Sequence, residues 1–346
     1  MPTYSPDLDS DALANWGEVL HNDLRWKALL LGNGASIAVW PLFNYPSLYE
    51  HARSNQIENP LTDRDVALFE CFGTQNFELV LGSLKTAAHV ANALGEPDVQ
   101  VRERYEHIQR ALFQAVGGLH VPWDRVAGER LRAIRTALRA YPAVYSTNYD
   151  LLAYWSVMHG GAAPGDFKDF FWSGPDQHEF DGANTQVSGN ATLMYYLHGG
   201  IHLLTSTSGG TRKRVPVDAS LLDDFEIAFD NAELPLLVSE GTATDKLAAI
   251  RRSDYLSFAY ASFAAHEGGL VIFGQSLQET DRHLIDVLNG WQKPWREPLL
   301  AISVRRLAEG GRVRQRKLAL ATLLPHADIV FFDPETHPLG DPALAA

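Results

Sequence analysis

Short apolar runs alternate along the chain with longer segments whose apolar residues recur at helical spacing. The apolar runs predict strands at 27–31, 143–146, 193–197, 270–273, 299–304 and 328–332. The helical spacing predicts helices at 11–24, 63–71, 77–94, 101–116, 129–140, 151–158, 245–266, 280–289 and 312–323. Strands that alternate with helices form a parallel sheet with crossover helices, so we expect an α/β fold.

The segment between the first two predicted strands is helical from about residue 60 to residue 140. It is too long for a simple crossover connection and predicts an inserted helical subdomain. We expect a sheet-bearing domain of residues 1–40 and 141–346 and a helical insertion of residues 41–140. Residues 160–190, rich in Gly, Pro, Asp and Asn, predict an irregular loop, and residues 205–214 predict a polar, flexible turn.

Four polar or glycine-rich clusters come directly after predicted strands. They occupy residues 32–36, 146–150, 198–200 and 274–277. In an open α/β sheet, ligands bind outside the carboxyl ends of the strands. Four clusters behind four strands therefore predict one composite ligand site.

The first two clusters suit a nucleotide. The turn Gly32-Asn33-Gly34-Ala35-Ser36 allows close backbone approach, and the helix after it offers N–H groups to a diphosphate. The alternative is a strand-to-helix turn without a ligand. Thr147, Asn148 and Asp150 could hold ribose hydroxyls and a water molecule, and the alternative there is a helix cap.

The other two clusters suit proton transfer and close contact. His198, at a strand end before two glycines, can act as a general base, and the alternative is a structural histidine. Gly274 and Ser276 can approach a nucleotide, and the alternative is a glycine turn before a capped helix. His202 lies four residues beyond His198, but no third ligand is apparent, so we expect no metal site.

Composition narrows the class of protein. The chain has 346 residues, 46% of them hydrophobic and 21% charged, as in globular proteins. Its 29 basic and 42 acidic residues give a net charge of −13, which does not suit nucleic-acid binding. The single cysteine, Cys71, excludes an internal disulfide and a Cys-rich zinc site. Because we find no secretory signal and no apolar run of roughly 18–20 residues, we expect a cytoplasmic protein without membrane contact.

The four clusters also match a known order of motifs. Between residues 27 and 333 they read Gly-x-Gly-x-Ser, Thr-Asn-Tyr-Asp, Leu-His-Gly and Gly-x-Ser-Leu. In this order, each behind an apolar strand, they resemble the sirtuin-like NAD-binding superfamily, and most closely its bacterial zinc-less branch. The resemblance implies a Rossmann-like parallel sheet with flanking helices, an inserted helical subdomain, and NAD as the ligand.

The departures from that superfamily bear on the substrate. Sirtuin deacylases have four zinc-binding cysteines, which this chain lacks. They also have Gly-Ile-Pro-Asp-Phe-Arg after the first motif, where this chain has residues 39–45 without a matching Asp-Phe-Arg, and a Gln where it has Thr147. These differences argue against an acyl-lysine peptide as substrate, but they do not argue against NAD.

The resemblance implies cleavage of the nicotinamide–ribose bond of NAD, which makes the chain an NAD⁺ glycohydrolase. In this interpretation His198 is the base that acts on a ribose hydroxyl or the water, Asn148 orients the ribose and the attacking water, and Asp150 supports the loop or contacts the ribose. The implied contacts to the rest of NAD are Gly32, Asn33, Gly34, Ser36, Thr147, Gly274, Ser276 and Asp333. NAD is then a substrate, and no metal is required.

The resemblance further implies a regulated, NAD-depleting effector of antiphage defence or a toxin, working as an oligomer or with a partner protein. Two alternatives stay open. One is a module that binds NAD or ADP-ribose without turnover, favoured by the altered segment 39–45. The other is an ADP-ribosyltransferase that uses the same glycosidic chemistry.

Overall fold

The computed structural model describes residues 8–22, 26–158, 165–171, 178–187, 189–205, 210–214, 234–238, 242–291, 298–306 and 312–346. The strands are β1 Trp26–Leu31, β2 Ala143–Ser146, β3 Phe167–Lys168, β4 Thr192–Tyr196, β5 Gly199–Thr205, β6 Thr211–Lys213, β7 Leu234–Leu237, β8 Gly269–Phe273, β9 Leu299–Ser303 and β10 Asp328–Phe332.

The α-helices are α1 Trp16–Asn22, α2 Asn33–Val39, α3 Tyr45–Arg53, α4 Asp63–Cys71, α5 Phe77–Leu94, α6 Val99–Leu119, α7 Trp123–Val126, α8 Glu129–Arg139, α9 Leu152–Met158, α10 Ala243–Arg252, α11 Asp254–Ala264, α12 Arg282–Gly290 and α13 Arg312–Leu323. Short 3₁₀ turns span Pro41–Phe43, Glu279–Asp281, Pro334–Thr336, Pro338–Gly340 and Pro342–Leu344. Among the described residues, no helix has the length and apolar character needed to cross a membrane.

The main sheet is parallel and has the order β10-β9-β8-β1-β2-β4-β3. Without the two-residue edge strand β3, this is the doubly wound order 3-2-1-4-5-6, whose topological switch point lies between β1 and β8. The predicted α/β fold with a Rossmann-like sheet and flanking helices is confirmed.

Both faces of this sheet are buried, which explains the continuous apolar runs. Along β1, Leu29 and Leu31 belong to one hydrophobic cluster, while Ala28 and Leu30 belong to the cluster on the other face. The second cluster continues into α11, α12 and α13. The first continues into the helices between β1 and β2, through residues such as Phe77, Leu112 and Leu138. The division into two domains stays a prediction, since the helical block shares this cluster with the sheet.

Strand register brings the ends of the central strands to one level. Leu31 pairs with Ser146 of β2 and with Phe273 of β8, and Ser146 pairs with Tyr196 of β4. The residues that come after these four positions therefore leave the sheet side by side. This register is the physical reason that clusters distant in sequence meet at one edge.

The structure corrects the expectation for residues 198–214. The two glycines after His198 begin β5, and in place of the polar, flexible turn expected at 205–214, β6 pairs antiparallel with β5, while β7 joins β5 on its other side. Gly199 has φ +77°, and a Cβ there would lie 1.8 Å from the Leu236 carbonyl oxygen, so the sharp entry into β5 requires glycine. Residues 206–209 lie outside the described residues.

Three other expectations also need correction. The helix expected at 245–266 is two helices, because Ser253 is extended and its hydroxyl caps the second by accepting from the Leu256 N–H. The helix expected at 11–24 begins at Trp16, and residues 23–25 lie outside the described residues. Within the loop expected at 160–190, Phe167–Lys168 pairs with β4, and residues 160–164, 172–177 and 188 lie outside the described residues.

We expect His337 to contribute to acid sensitivity. Its Nδ1 accepts from the Leu339 N–H and its Nε2 lies 3.0 Å from the Tyr141 hydroxyl, and burial lowers its pKa to about 3. An unfolded histidine titrates near 6.5, so the unfolded state binds more protons between these values and stability falls as the pH is lowered. Urea unfolding at pH 7 and pH 5 should show a loss of about 2 kcal/mol from this residue.

The His337→Gln variant should show a smaller loss between the two pH values than the wild type. The control is His89→Gln, which changes an exposed histidine of α5. An unchanged pH dependence in His337→Gln would show that His337 does not contribute in this way.

Candidate functional site

A cavity of about 460 Å³ lies at the carboxyl ends of β1, β2, β4 and β8. The volume is in the range of small-molecule sites. All four sequence clusters contribute to its wall, through Asn33, Gly34, Thr147, Asn148, Asp150, His198, Gly274 and Ser276. The structure thus brings together most of the predicted site residues. The remaining wall is largely apolar and includes Ile37, Phe43, Pro46, Leu48, Phe77, Leu112, Phe113, Val116 and Leu237.

The loops after β1 and β8 interlock by backbone contact. Gly34 N–H donates to the Gly274 carbonyl oxygen at 2.8 Å, and Gly32 N–H donates to the Phe273 carbonyl oxygen at 2.9 Å. A Cβ on Gly34 would lie 2.7 Å from Gly274 Cα, and one on Gly274 would lie 2.3 Å from Ala35 N. The glycines therefore allow two loops to touch, and the Gly34 N–H is engaged within the chain.

Ser36 connects two predicted catalytic residues behind the cavity wall. Its hydroxyl donates to Asp150 Oδ2 at 2.5 Å and accepts from Asn148 Nδ2 at 2.9 Å. Because the single hydroxyl proton is used by Asp150, Asn148 must present its NH₂ group to Ser36. The Ser36 side chain is buried. The sequence predicts a diphosphate contact for this hydroxyl. In the structure the hydroxyl instead holds the side chains of Asp150 and Asn148 in place.

This arrangement leaves one acceptor of Asn148 without a partner. Asn148 is 6% exposed, and its Oδ1 has no hydrogen-bond partner among the residues the structure describes. A buried acceptor without a donor costs free energy. Since Asn148 lines the cavity, a ligand hydroxyl is a chemically suitable partner.

His120 supports the site from outside the cavity wall, and its role was not predicted from the sequence. Its Nε2 accepts from the Leu151 N–H at 2.9 Å, so Nδ1 holds the proton and faces the Val121 carbonyl oxygen at 3.0 Å. Burial lowers the pKa of His120, against the opposing effect of the Asp150 carboxylate. Asp150 Oδ1 accepts from the Leu152 N–H. His120 and Asp150 together fix the turn that carries the second cluster.

His198 belongs to a buried polar group. Its Nε2 lies 2.9 Å from Nε2 of His283, the second residue of α12. Burial lowers the pKa of His198 well below its usual value, and the positive charge of Lys246 and the neighbouring His283 act in the same direction. His198 is therefore neutral near pH 7.

Further polar residues on the cavity wall are absent from the predicted set. Lys246 is 2% exposed, and its Nζ lies 3.6 Å from Asp281 Oδ1. Gln275 donates from Nε2 to Asp281 Oδ2 at 3.2 Å. Asp281 lies shortly after the fourth cluster, and this position is the one feature of the sequence that suggests a place in the site. Lys246 has no such signal, because a lysine in an amphipathic helix is usually exposed.

The predicted residues Gly32, Ser36 and Asp333 are not part of the cavity wall. Gly32 and Ser36 lie directly behind it. Asp333 comes after β10, and its carboxylate contacts Arg306 Nε at 2.8 Å and the Glu335 N–H at 3.1 Å. Thr147 is on the wall, with its hydroxyl donating to the Leu31 carbonyl oxygen. Within the described ranges, no three His, Cys, Asp or Glu side chains are grouped to hold a metal ion.

The fold and the cavity define a doubly wound α/β protein with a ligand site at its switch point. The chain belongs to the DUF4917 family, described as a domain of unknown function, whose model matches residues 29–339. That match covers the parallel sheet from Leu29 of β1 to the end of β10 and all of the cavity residues. No curated protein matches the chain in sequence.

Removing the Ser36 hydroxyl should destabilise the site. Ser36→Ala leaves Asp150 Oδ2 and Asn148 Nδ2 without their shared partner, which costs about 1–3 kcal/mol. Denaturant unfolding measures this loss. Ser83→Ala is the matched control, since the Ser83 hydroxyl of α5 donates to the Leu79 carbonyl oxygen one turn earlier in the same helix. Equal effects of the two substitutions would contradict a special role for Ser36.

Gly274→Ala should separate the two interlocked loops. The added Cβ meets backbone at 2.3 Å, and φ of +72° is unfavourable for alanine. We expect a stability loss larger than the roughly 1 kcal/mol typical of point mutants. Gly290→Ala is the control, because a Cβ there meets nothing within 4 Å. Thermal unfolding of both variants tests this, and a Gly274→Ala midpoint equal to that of Gly290→Ala would contradict it.

Proposed function

We propose that the protein cleaves the nicotinamide–ribose bond of NAD and releases nicotinamide and ADP-ribose. The observation that carries this proposal is the common cavity wall formed by Asn148, Asp150 and His198. The cavity at the switch point has an amide, a carboxylate and a neutral imidazole on its wall. These groups can hydrogen-bond to a ribose and can accept a proton from an attacking water. The resemblance of the four clusters to the sirtuin-like superfamily supports NAD as the ligand.

The reaction requires little proton transfer to the leaving group. The C1′–N bond breaks with its electron pair going to the nicotinamide nitrogen, which neutralises the pyridinium charge. The ribose passes through an oxocarbenium-like state, as in glycoside cleavage. Water adds its oxygen to C1′ and loses a proton to a base, so NAD⁺ and water give nicotinamide, ADP-ribose and a proton.

The residues of the site divide these tasks. His198, neutral because burial lowers its pKa, can accept a proton from water or a ribose hydroxyl. Asn148 is held by Ser36 and has an Oδ1 suited to a hydroxyl donor. Asp150, fixed by Ser36 and the Leu152 N–H, adds negative charge beside the developing cation.

The apolar part of the wall suits the planar nicotinamide ring. Phe43, Phe77 and Phe113 line it, and Asn44 and Asn76 add amide groups. Phe43 and Asn44 belong to the segment 39–45, which differs from the deacylase motif. This segment still provides an aromatic and a polar group to the cavity. The chain can therefore contact a nicotinamide ring although it lacks the deacylase motif.

The same proposal includes a biological role. In it, the chain is a regulated, NAD-depleting effector of bacterial defence or a toxin. It includes the cytoplasm as its location and a second copy or a partner protein as its regulator. These points rest on the sequence resemblance. The net charge of −13 supports a small-molecule substrate in preference to nucleic acid.

The test is nicotinamide release from NAD, followed by chromatography, for the wild type, His198→Gln and Asn148→Ala. Loss of a general base typically costs 10²- to 10⁴-fold, so we expect His198→Gln to lose about 100-fold or more. Asn148→Ala should lose a similar amount because ribose and water lose their orientation. The controls are His266→Gln, away from the cavity wall, and Asn92→Ala on the surface of α5.

Near-wild-type release by either site variant would contradict these roles. Protection of the wild type against thermal unfolding by intact NAD, without nicotinamide release, would favour the binding module. Transfer of ADP-ribose mass to a protein would favour the transferase.

A further inference from the structure

The hydrogen bond between His198 and His283 selects which nitrogen of His198 can act on a ligand. The two Nε2 atoms lie 2.9 Å apart, a hydrogen-bond distance. Such a contact holds one proton between the two nitrogens, since two N–H groups or two bare nitrogens would repel each other. His198 lines the cavity while His283 does not, so Nδ1 is the nitrogen of His198 left for a ligand.

We infer that His283 is a positioning residue, which accepts the Nε2 proton of His198 and thereby keeps Nδ1 free of a proton. This inference rests on the proposed function for the use of Nδ1 as the base. The arrangement is comparable in logic to a carboxylate that orients the histidine of a hydrolase triad. Here a neutral imidazole performs the orienting step.

The backbone and the ring of His283 are held by separate contacts. The residue is 3% exposed, and the Tyr260 hydroxyl donates to its backbone carbonyl oxygen at 2.8 Å, so the backbone of α12 is fixed independently of the side chain. Nδ1 of His283 has no partner among the described residues. No side-chain bond other than the contact to His198 therefore sets the orientation of this ring in the described structure.

The charges that face His283 come from two helices. Lys246 of α10 disfavours the charged form of the ring, and Asp286, one turn along α12, favours it. Burial has the largest effect and lowers the pKa of His283 to about 3. Lys246 is partly balanced by Asp281 at 3.6 Å. The ring is therefore neutral over the range in which nicotinamide release is measured, so it has one bare nitrogen that can accept a proton from His198.

The first experiment is independent of turnover. Nitrogen-15 NMR of the histidine rings in the free protein at pH 7 distinguishes a bare from a protonated Nδ1. We expect His198 to have a bare Nδ1 and a proton on Nε2. We expect His283→Phe, which keeps a ring but removes the acceptor, to shift His198 toward the tautomer with a proton on Nδ1. A protonated Nδ1 in the wild type would overturn the inference whatever the activity.

The second experiment uses activity and a conservative replacement. In His283→Phe, a buried Nε2–H without an acceptor disfavours the reactive tautomer, and we expect kcat for nicotinamide release to fall about 10- to 100-fold. KM for NAD should change little, because His283 does not line the cavity. His283→Gln offers a side-chain oxygen as acceptor and should keep kcat within about threefold of the wild type.

The outcomes separate the inference from the proposed function. Full kcat in His283→Phe, or equal losses in the Phe and Gln variants, would overturn the inference while leaving NAD cleavage intact. If the wild type released no nicotinamide, the proposed function would be wrong. The NMR result would then test only the position of the proton on His198. His266→Phe is the control for replacing a partly buried histidine, and thermal unfolding of each variant measures any loss of fold.

Discussion

The contact between the loops after β1 and β8 determines the geometry of the site. At a switch point, the connections that follow the two neighbouring strands run in opposite directions. The space between these connections is a crevice at the carboxyl ends of the strands. Here Gly32, Gly34 and Gly274 let the two loops approach until backbone touches backbone, with the Gly34 N–H on the Gly274 carbonyl oxygen. The first and fourth clusters are thereby fixed relative to each other, and the cavity forms beside them.

Around this contact, the site is built from buried polar side chains that form hydrogen bonds with each other or with the backbone. Ser36 joins Asn148 to Asp150, His120 holds the turn after Asp150, and His283 holds His198. In a medium of low dielectric, such bonds are strong and their geometry is well defined. The same burial keeps the histidines neutral. The orientation of these side chains and the neutrality of His198 thus have one physical cause.

Much of this organisation could be predicted from the sequence, because buried parallel strands leave a strong pattern. The run at 27–31 is apolar at nearly every position since both faces of β1 are covered. Strand ends in register then place the four clusters together. The prediction that the clusters form one site needed no information beyond the strands and the polarity of the residues directly after them.

Other features could not be predicted because their signal is not local. Gly199 and Gly200 have the composition of a turn, yet they begin β5, since pairing with β7 and not propensity decides their conformation. The partner of His198 lies 85 residues away in the sequence. Lys246 has the spacing of a surface residue in an amphipathic helix. The role of Ser36 depends on two side chains more than 110 residues away, and no spacing rule reports such a contact.

The strand order also governs when the cavity can exist during synthesis of the chain. β1 is central in the sheet, but one of its neighbours, β8, begins at Gly269. A strand buried on both sides must wait for its later neighbour, and such distant pairings form slowly. The wall of the cavity is complete only after residue 198, Lys246 and the loop 274–281 have all been synthesised. A nascent chain that ends before β8 therefore has no assembled cavity, and any chemistry of the site begins only after the loop 274–281 has been synthesised.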